Sequence, residues 1–493
     1  MALLQNVIPI RWTGGPIEIA RRGKSEGFTP QIRQTLERFH DPASLDILKG
    51  SPFDCLVVNW AAGLAEDAAQ QKSAAPLLEA ARKLNLAVVG WVDAPADPGA
   101  AIASAKSAGL AAVAVRDFKG PSDLPVIPFG DHANTPWDAA GPVLAVTDNV
   151  WPGVSMPGGG GAAGPTSVPW LDSNGWFLQM ARARTEAAVW LMFDPPAKGR
   201  VIPAQNYPTA VCDCEVAGGR WVVSFDDALR AGLADGNASA RETLKQVGAT
   251  AAYFEKHAAW KSYRSLGVVG VISDFTGENL DLSGEILNLM SRRSLLFRVV
   301  WKSKAMAQPF TGLKALVYAD KAAPSAELRR KMMTFAEQGG LLITGPKWGP
   351  EGKPAPLDFN TQFEVRSLGK GRLAVARQEL ADAYQVAVDA QFLVSYGNDL
   401  VKLYNSSSSG CTRFTGSPDG KKALLQVLSY AGGGGRYSGQ RTVWIRDRYR
   451  ATRLLTVDGE PVPLQPAPSE EFFGMEYQLA PTVPGYFAME FEA

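Results

Sequence analysis

Short apolar runs alternate with helical patterns over roughly the first half of the chain. Most of the runs lack a strict apolar–polar alternation, as is expected for parallel strands that are buried on both faces. We predict eight such strands, at Val7–Trp12, Cys55–Trp60, Ala87–Val92, Ala111–Val115, Val126–Phe129, Val143–Val146, Ala187–Phe193 and Trp221–Phe225.

Several segments between these strands carry the signals of helix starts. The predicted caps or first residues are Thr29 with Pro30, Ser73, Pro98, and Asp172 or Ser173, and a longer helical pattern covers Ala238–Tyr263. The links after strands four and five are short, which leaves helices there in doubt. Eight strands alternating with helices predict a (β/α)8 TIM barrel over residues 1–265, with a doubly wound sheet as the alternative.

In the rest of the chain the pattern of predicted secondary structure changes twice. From about residue 266, strand patterns such as VVGVISDFTG and LKALVYAD alternate with helical patterns such as SAELRRKMMTFAEQGG, which predicts an open α/β domain to residue 410. Beyond about residue 376, β-rich runs separated by Gly and Pro become frequent. They predict a C-terminal antiparallel β-sandwich over 411–493.

The composition excludes several classes of partner and binding site. With 50 basic and 49 acidic residues the net charge is +1, and no basic block occurs, so we expect no nucleic-acid partner. The four cysteines form no CxxC pair and the three histidines are scattered, so we expect no metal site, no cofactor and reduced or buried thiols. The tryptophan count of 13 is high, and eight of these tryptophans precede residue 200.

The sequence also bears on membranes and targeting. No apolar run is long enough to span a bilayer, so we expect no membrane association. The N-terminal stretch MALLQNVIPIRW lacks the charged region and long apolar core of a signal peptide. The compartment stays open: a trimmed signal would place the protein in the periplasm or outside the cell, and otherwise we expect it in the cytoplasm.

Polar and aromatic residues gather at the C-terminal ends of the predicted strands, where (β/α)8 enzymes carry their active sites. Carboxylates there can serve as acid, base or nucleophile in glycoside cleavage, and flat indoles suit the apolar faces of sugar rings. The same residue types also cap helices and begin loops. The predicted substrate-binding residues are Arg11, Trp12, Asn59, Trp60, Trp91, Asp93, Arg116, Trp151, Asp172 and Asn174.

The order of barrel, α/β domain and small β-sandwich resembles the three-domain β-galactosidases of glycoside hydrolase family 42. The middle segment resembles their amidotransferase-like, flavodoxin-like trimerisation domain, and KALLQVLSYAGGG resembles the opening of their C-terminal β domain. The resemblance implies a carbohydrate substrate with a β-linkage and a homo-oligomer, a trimer. Amidotransferase chemistry is excluded, because residues 267–376 contain neither Cys nor His.

The resemblance also locates catalytic positions. It implies an acid/base glutamate, usually after asparagine, at the end of strand four and a nucleophilic glutamate at the end of strand seven. Here strand four ends at Arg116-Asp117 and strand seven at Asp194, so both glutamates are absent. We predict Asp194, fixed by Pro195 and Pro196, as one catalytic carboxylate. Its predicted partner is Asp117, with Asp148 after strand six as the next choice.

Two hypotheses follow from these positions. The first is a glycoside hydrolase that uses aspartates at the mouth of the barrel. The second is a catalytically silent, carbohydrate-binding or scaffolding relative.

The long Gly- and Pro-rich segment 151–176 is predicted to be a lid over the mouth, or else a disordered insertion.

Overall fold

The computed structural model describes residues 2–94, 97–116, 118, 120–139, 141–155, 170–194, 201–349, 351–356, 361–380, 382–394, 398–404, 410–430, 441–446, 449–469, 473–479 and 485–492. The chain divides into two compact units. The first holds residues 1–152 and 185–257, and the second holds 153–184 and 258–493. The three domains, with boundaries at 266 and 411, stay a prediction, and the assignment of 153–184 to the second unit was not anticipated.

The first unit contains an eight-stranded parallel sheet in which sequence neighbours are also spatial neighbours. Strands one to eight are Pro9–Trp12, Cys55–Ala61, Ala87–Val92, Ala112–Arg116, Val126–Gly130, Val143–Val146, Ala188–Met192 and Arg220–Val222. Ile10 bridges Val223, and the N–H of Arg11 donates to the carbonyl of Val223 at 2.6 Å, so the last strand returns to the first. This nearly closed sheet fits the predicted (β/α)8 barrel and excludes the doubly wound alternative.

The helices begin largely where their caps predict. Helices α1 to α8 are Pro16–Arg22, Pro30–Arg38, Asp67–Lys83, Pro98–Ser107, Gly175–Arg184, Asn206–Ala217, Asp227–Ala234 and Ala238–Lys256, with 3-10 turns at Ala2–Gln5, Pro42–Leu48 and Ala258–Ser262. Thr29 caps α2 by accepting from the N–H of Ile32 at 3.3 Å. The Ser73 cap is wrong, because α3 already begins at Asp67, whose carboxylate holds the preceding loop by accepting from the N–H of Ala62. Between strands four and six the described residues contain no helix.

The second unit contains a seven-stranded mixed sheet. Its order is Phe297–Trp301, Val269–Ser273, Ala315–Tyr318, Leu341–Thr344, Gly371–Ala376, Phe363–Leu368 and Lys353–Pro354; the first five are parallel and the last two antiparallel. Helices α9 (Glu278–Arg292), α10 (Ala326–Glu337) and α11 (Ala383–Val394) accompany it. The alternation agrees with the predicted α/β sheet, whereas likeness to an amidotransferase domain stays a prediction.

Two antiparallel sheets complete the second unit. One has the order Arg264–Ser265, Gly410–Gly416, Lys422–Ser429, Tyr486–Glu492, Arg450–Leu455 and Val462–Pro463, and the other Val401–Tyr404, Thr442–Arg446, Gly474–Gln478 and Ala467–Pro468. Side chains of both sheets, such as Leu425 and Ile445, share one apolar core. This packing agrees with a β-sandwich. None of the described helices combines the length and hydropathy needed to cross a membrane.

The segment after strand six belongs to the second unit and is held there by α9. Gly153–Ser155 and Trp170–Asp172 pair as antiparallel strands, and residues 156–169, the centre of the predicted lid, lie outside the described residues. Ser173 donates to Asn288 Oδ1 at 2.9 Å, and Asn288 donates to the carbonyl of Leu171 at 3.2 Å. The described end of the segment is therefore anchored in the second unit.

A glutamate beside this anchor is expected to make stability pH-dependent. Burial raises the pKa of Glu285 to about 7 from its ordinary 4.5, against the opposing bond to Asn288 and charge of Arg292, and Asp172 adds to the rise. The folded state binds this proton more tightly than the unfolded chain does. Its contribution to stability is therefore greatest below pH 4.5 and falls as the pH rises to about 7.

Glu285→Gln is expected to increase the free energy of unfolding at pH 8 by about 1–3 kcal/mol and to change it little at pH 4. Denaturant unfolding at both pH values measures this difference. Glu327→Gln, at an exposed position of α10, is the control. An equal gain at both pH values, or none at pH 8, would contradict the assignment.

Candidate active site

The mouth of the barrel is defined by the side chains that continue its inward-facing rows. The interior is an apolar core that contains alternate strand residues, among them Val57, Ala114 and Met192. Because side chains alternate along a strand, residues two positions further on face the same way. These next residues are Asn59, Arg116 and Asp194. The inward rows thus change from apolar to polar at the C-terminal ends of the strands.

Arg11 of strand one is the most buried charge in this layer. Its side chain is only 3% exposed, and its Nη2 donates to Asn59 Oδ1 at 2.8 Å. Its Nε lies 3.8 Å from Asp194 Oδ1, which is too long for a hydrogen bond. Burial lowers the pKa of Arg11, although the carboxylates of Asp194 and Glu18 oppose this effect. The guanidinium nevertheless stays charged, because its ordinary pKa is so high.

Asn59 fixes this arginine from strand two. It is buried, it accepts from Arg11, and its Nδ2 donates to Glu18 Oε2 at 3.2 Å. Glu18 lies in the first turn of α1, directly after strand one. A continuous polar chain therefore runs from Glu18 through Asn59 and Arg11 to Asp194. Its buried members are held in one orientation by their bonds.

An aromatic pair lies among these polar side chains. The rings of Trp91 and Phe129 stack with centroids 3.9 Å apart and planes 24° apart. The guanidinium carbon of Arg11 lies 5.0 Å from the centre of the Trp91 ring, and that of Arg116 lies 4.7 Å from the centre of Phe129. Trp91 is buried, so it supports the mouth rather than presenting an open ring face.

Asp93 follows strand three and binds two arginines. Its Oδ2 accepts from Arg21 of α1 and its Oδ1 from Arg116 of strand four, each at 3.3 Å. The next residue, Ala94, has a φ of 50°, a left-handed conformation that is strained for a residue other than glycine. Strand three is thus followed by a carboxylate that two arginines bind and then by a sharp turn.

Asp194 is the exposed carboxylate of the inward rows. It stands two residues beyond strand seven, and its side chain is 55% exposed while that of Arg11 is buried. The predicted role of Pro195 and Pro196 falls on residues that lie outside the described ones. The carboxylate is therefore accessible from solvent and faces a buried cation across 3.8 Å.

Asp148 stands two residues beyond strand six, which pairs with strand seven in the sheet. Its Oδ1 accepts from the backbone N–H of His132 at 3.0 Å and lies 3.8 Å from His132 Nε2. Partial burial raises the pKa of Asp148, and His132 opposes this rise. Its φ of 56° is left-handed. The raised pKa favours the protonated form, which is the form a general acid needs.

Two of the predicted sugar-binding tryptophans lie elsewhere. Trp12 packs 4.7 Å from the ring of Phe39 and donates to Ser44 Oγ at 3.3 Å. Trp60 donates to the carbonyl of Ala101 at 3.1 Å. Each directly follows an inward-facing residue and therefore points outward, against the helices. The structure does not bring either indole to the mouth.

The remaining predicted positions are also accounted for. Trp151 packs edge-on against Tyr207 and Trp221, at centroid distances of 5.0 and 5.2 Å. Asp172 and Asn174 belong to the second unit and are not part of the described barrel. Asp117, the preferred partner of Asp194, lies outside the described residues. Within the barrel the structure thus brings together Arg11, Asn59, Trp91, Asp93, Arg116 and Asp194.

The partners of this cluster on α1 were not predicted. Glu18, Arg21 and Arg22 bind Asn59, Asp93 and Asp227, respectively. Their spacing of three and four residues, which places them along one side of a helix, was the available signal. Other strand-end aspartates are structural: Asp226 caps α7 through the N–H of Leu229 at 2.7 Å. The described residues hold no cluster of acidic, His or Cys side chains suited to a metal ion.

Comparisons with known proteins bear on the fold. The α-L-fucosidase isoenzyme 2 of Paenibacillus thiaminolyticus matches with a TM-score of 0.59 and 10% identity, over 99% of each chain. The exo-β-1,4-mannosidase of Opitutaceae bacterium strain TAV5 has a TM-score of 0.49 and 11% identity, over 78% of this chain and 94% of that one. A family 42 β-galactosidase from G. stearothermophilus has a TM-score of 0.32 and 11% identity, over 87% and 68%.

No protein-family model and no curated protein matches the chain. The fucosidase match extends over the whole chain, but at 10% identity it shows a shared fold and nothing about substrate. The comparisons do not distinguish family 42 from other glycoside hydrolases, so the resemblance to family 42 stays a prediction. The chain has a glycoside-hydrolase-like fold.

Proposed function

We propose that this protein is a glycoside hydrolase that cleaves a β-linked saccharide at the mouth of the barrel. The observation that carries the proposal is Asp194, an accessible carboxylate beyond strand seven that faces the buried guanidinium of Arg11. An accessible carboxylate that lies beside a fixed cation is placed where a nucleophile or general base is required. The β-linkage is proposed from the resemblance to the β-galactosidases.

Asp148 is the proposed general acid. It stands beyond strand six, the sheet neighbour of strand seven, so Asp148 and Asp194 follow adjacent strands at the C-terminal end of the barrel. The raised pKa of Asp148 suits a general acid, and the accessibility of the Asp194 carboxylate suits a base or nucleophile. The separation of the carboxyl groups in the complex with substrate decides between retention and inversion.

A catalytically silent, carbohydrate-binding relative is the second candidate. The absence of glutamate at the ends of strands four and seven favours it. Such a protein would bind sugar through the same polar layer without turning it over. Measured turnover therefore separates the two functions.

The test is a hydrolysis screen on aryl glycosides and oligosaccharides, with wild type beside Asp194→Asn. We expect activity in the wild type and a loss of about 10³-fold or more in kcat in the variant, because the carboxylate is removed with little change of shape. The fold of the variant is checked by circular dichroism. Saturable sugar binding without turnover in both proteins would support the silent relative, and equal turnover in both would remove Asp194 from the chemistry.

A further inference from the structure

The arginines around the mouth differ in whether a carboxylate satisfies them. Arg21 and Arg116 donate to Asp93 at 3.3 Å, and Arg22 donates to Asp227 through two bonds of 2.7 and 2.5 Å. Arg11 differs from these three, because the described barrel places no carboxylate within hydrogen-bonding distance of it. Its nearest carboxylate oxygen is 3.8 Å away, on Asp194.

The guanidinium of Arg11 is also short of neutral partners. Nη2 bonds to Asn59, but neither Nε nor Nη1 has a hydrogen-bond partner among the described residues, and both atoms are buried. Leaving charged donors unsatisfied away from water is costly, so such groups usually have a partner. These two donor nitrogens of Arg11 can therefore bind an acceptor that the described chain does not supply.

The surroundings of Arg11 keep its position fixed. Asn59 holds one nitrogen from strand two, and the ring of Trp91 lies 5.0 Å from the guanidinium carbon. The accessible Asp194, the proposed catalytic carboxylate, lies 3.8 Å from Nε of the same guanidinium. A ligand group that reaches Asp194 from solvent therefore comes within a few ångströms of Arg11. A guanidinium has enough donors to serve two anions at once.

We propose that the substrate is a saccharide that carries an anionic group, a carboxylate or a sulfate, which binds to Arg11 inside the mouth of the barrel. The inference rests on the proposed function, since it names the class of substrate for the same site. Arginine is suited to this role, because its planar fork of donors matches the paired oxygens of carboxylate and sulfate. A uronic acid and a sulfated sugar share this chemistry.

The experiment is calorimetric titration with three ligands that differ in one group: an aryl β-glucoside, the aryl β-glucuronide, and the aryl β-glucoside sulfated on its primary hydroxyl. Titration uses the full-length Asp194→Asn protein, in which the proposed hydrolysis is blocked, and the wild type at low temperature. We expect at least one anionic ligand to bind roughly 10- to 100-fold more tightly than the neutral one. Preference for the glucuronide identifies the carboxylate source, and preference for the sulfated ligand identifies the sulfate source.

Two variants test whether Arg11 is responsible. Arg11→Lys keeps the charge but loses the fork, and we expect the preference for the anionic ligand to fall roughly tenfold. Arg21→Gln removes one positive charge from the same end of the barrel, but Arg21 is already bonded to Asp93, so the preference should remain. Circular dichroism checks that Arg11→Lys is folded.

The outcomes separate this inference from the proposed hydrolysis. Equal affinity for all three ligands, or an equal loss in Arg11→Lys and Arg21→Gln, would overturn the anionic substrate and leave the hydrolase standing. Tight, Arg11-dependent binding of an anionic ligand supports the inference whether or not turnover occurs. If the wild type turns over none of the bound ligands or their oligosaccharides, the hydrolase fails and the binding site remains.

Discussion

Asp148→Asn is expected to lower kcat/KM for glycosides with poor leaving groups by about 10²–10⁴-fold, the usual contribution of a general acid. Partial burial raises the pKa of Asp148, which maintains the proton that must reach the leaving oxygen. An asparagine of nearly the same shape has no proton to give. Aryl glycosides with strongly acidic phenols should be affected much less, because their leaving groups need no protonation.

The pH profile provides the stricter measurement. A general acid acts only while protonated, so wild-type activity should fall as the pH rises through the raised pKa of Asp148. This alkaline limb should disappear in Asp148→Asn. The comparison variant is Asp131→Asn. Asp131 accepts from the N–H of Asn134 at 2.7 Å, and its charge adds to the raised pKa of Asp148, so its removal should move the alkaline limb to lower pH without abolishing it. An unchanged alkaline limb in Asp148→Asn would contradict the assignment.

Lys302→Met is expected to reduce the free energy of unfolding of the second unit by about 3 kcal/mol, the cost of leaving a buried charge unpaired. The carboxylate of Asp320 is fully buried, and Lys302 Nζ binds its Oδ2 at 2.6 Å. The other oxygen, Oδ1, accepts hydrogen bonds from Ser273 Oγ at 2.6 Å and from the N–H of Asp274 at 3.1 Å. Without the lysine this carboxylate keeps neutral donors but has lost its closest cation.

Denaturant unfolding measures the loss, and a double variant isolates its cause. Adding Asp320→Asn to Lys302→Met should restore part of the stability, because the unpaired charge is removed with its partner. The matched control is Lys321→Met. Lys321 pairs with Glu278 at 2.5 Å, but both side chains are exposed, so its removal should change stability little. Similar losses in Lys302→Met and Lys321→Met would show that burial of Asp320 is not the reason.

The positions of the eight strands were predictable because each is a short run buried on both faces. Such a run is visible in the chain itself, and seven of the eight observed strands differ from prediction by two residues or fewer at either end. The last strand ends at Val222, three residues early, and only a single bridge at Val223 continues it. Closure of the sheet depends on partners far apart in sequence, which a local pattern does not contain.

Helix α11 shows a signal that was present but not used. Its buried residues include Ala383, Val386, Ala387 and Ala390, spaced three and four apart as on one side of a helix. Helix α5 shows the opposite case, in which the sequence contained no sufficient signal. It follows barrel strand six in the chain but packs within the second unit. The sequence order suggested a barrel helix, and only the packing shows which unit it joins.

The sequence by itself determined that strands alternate with helices, that antiparallel strands follow, and that carboxylates and arginines stand where the barrel strands end. These properties are local, because they depend on burial and capping within a few residues. Only the tertiary structure decided which of two adjacent residues enters the barrel: Arg11 rather than Trp12, and Asn59 rather than Trp60. A strand with both faces buried has apolar residues on either side, so its pattern does not say which face is inside. That choice follows from the closure of the sheet, which brings Arg11 to Asp194 across 182 intervening residues of the chain and thereby forms the candidate site.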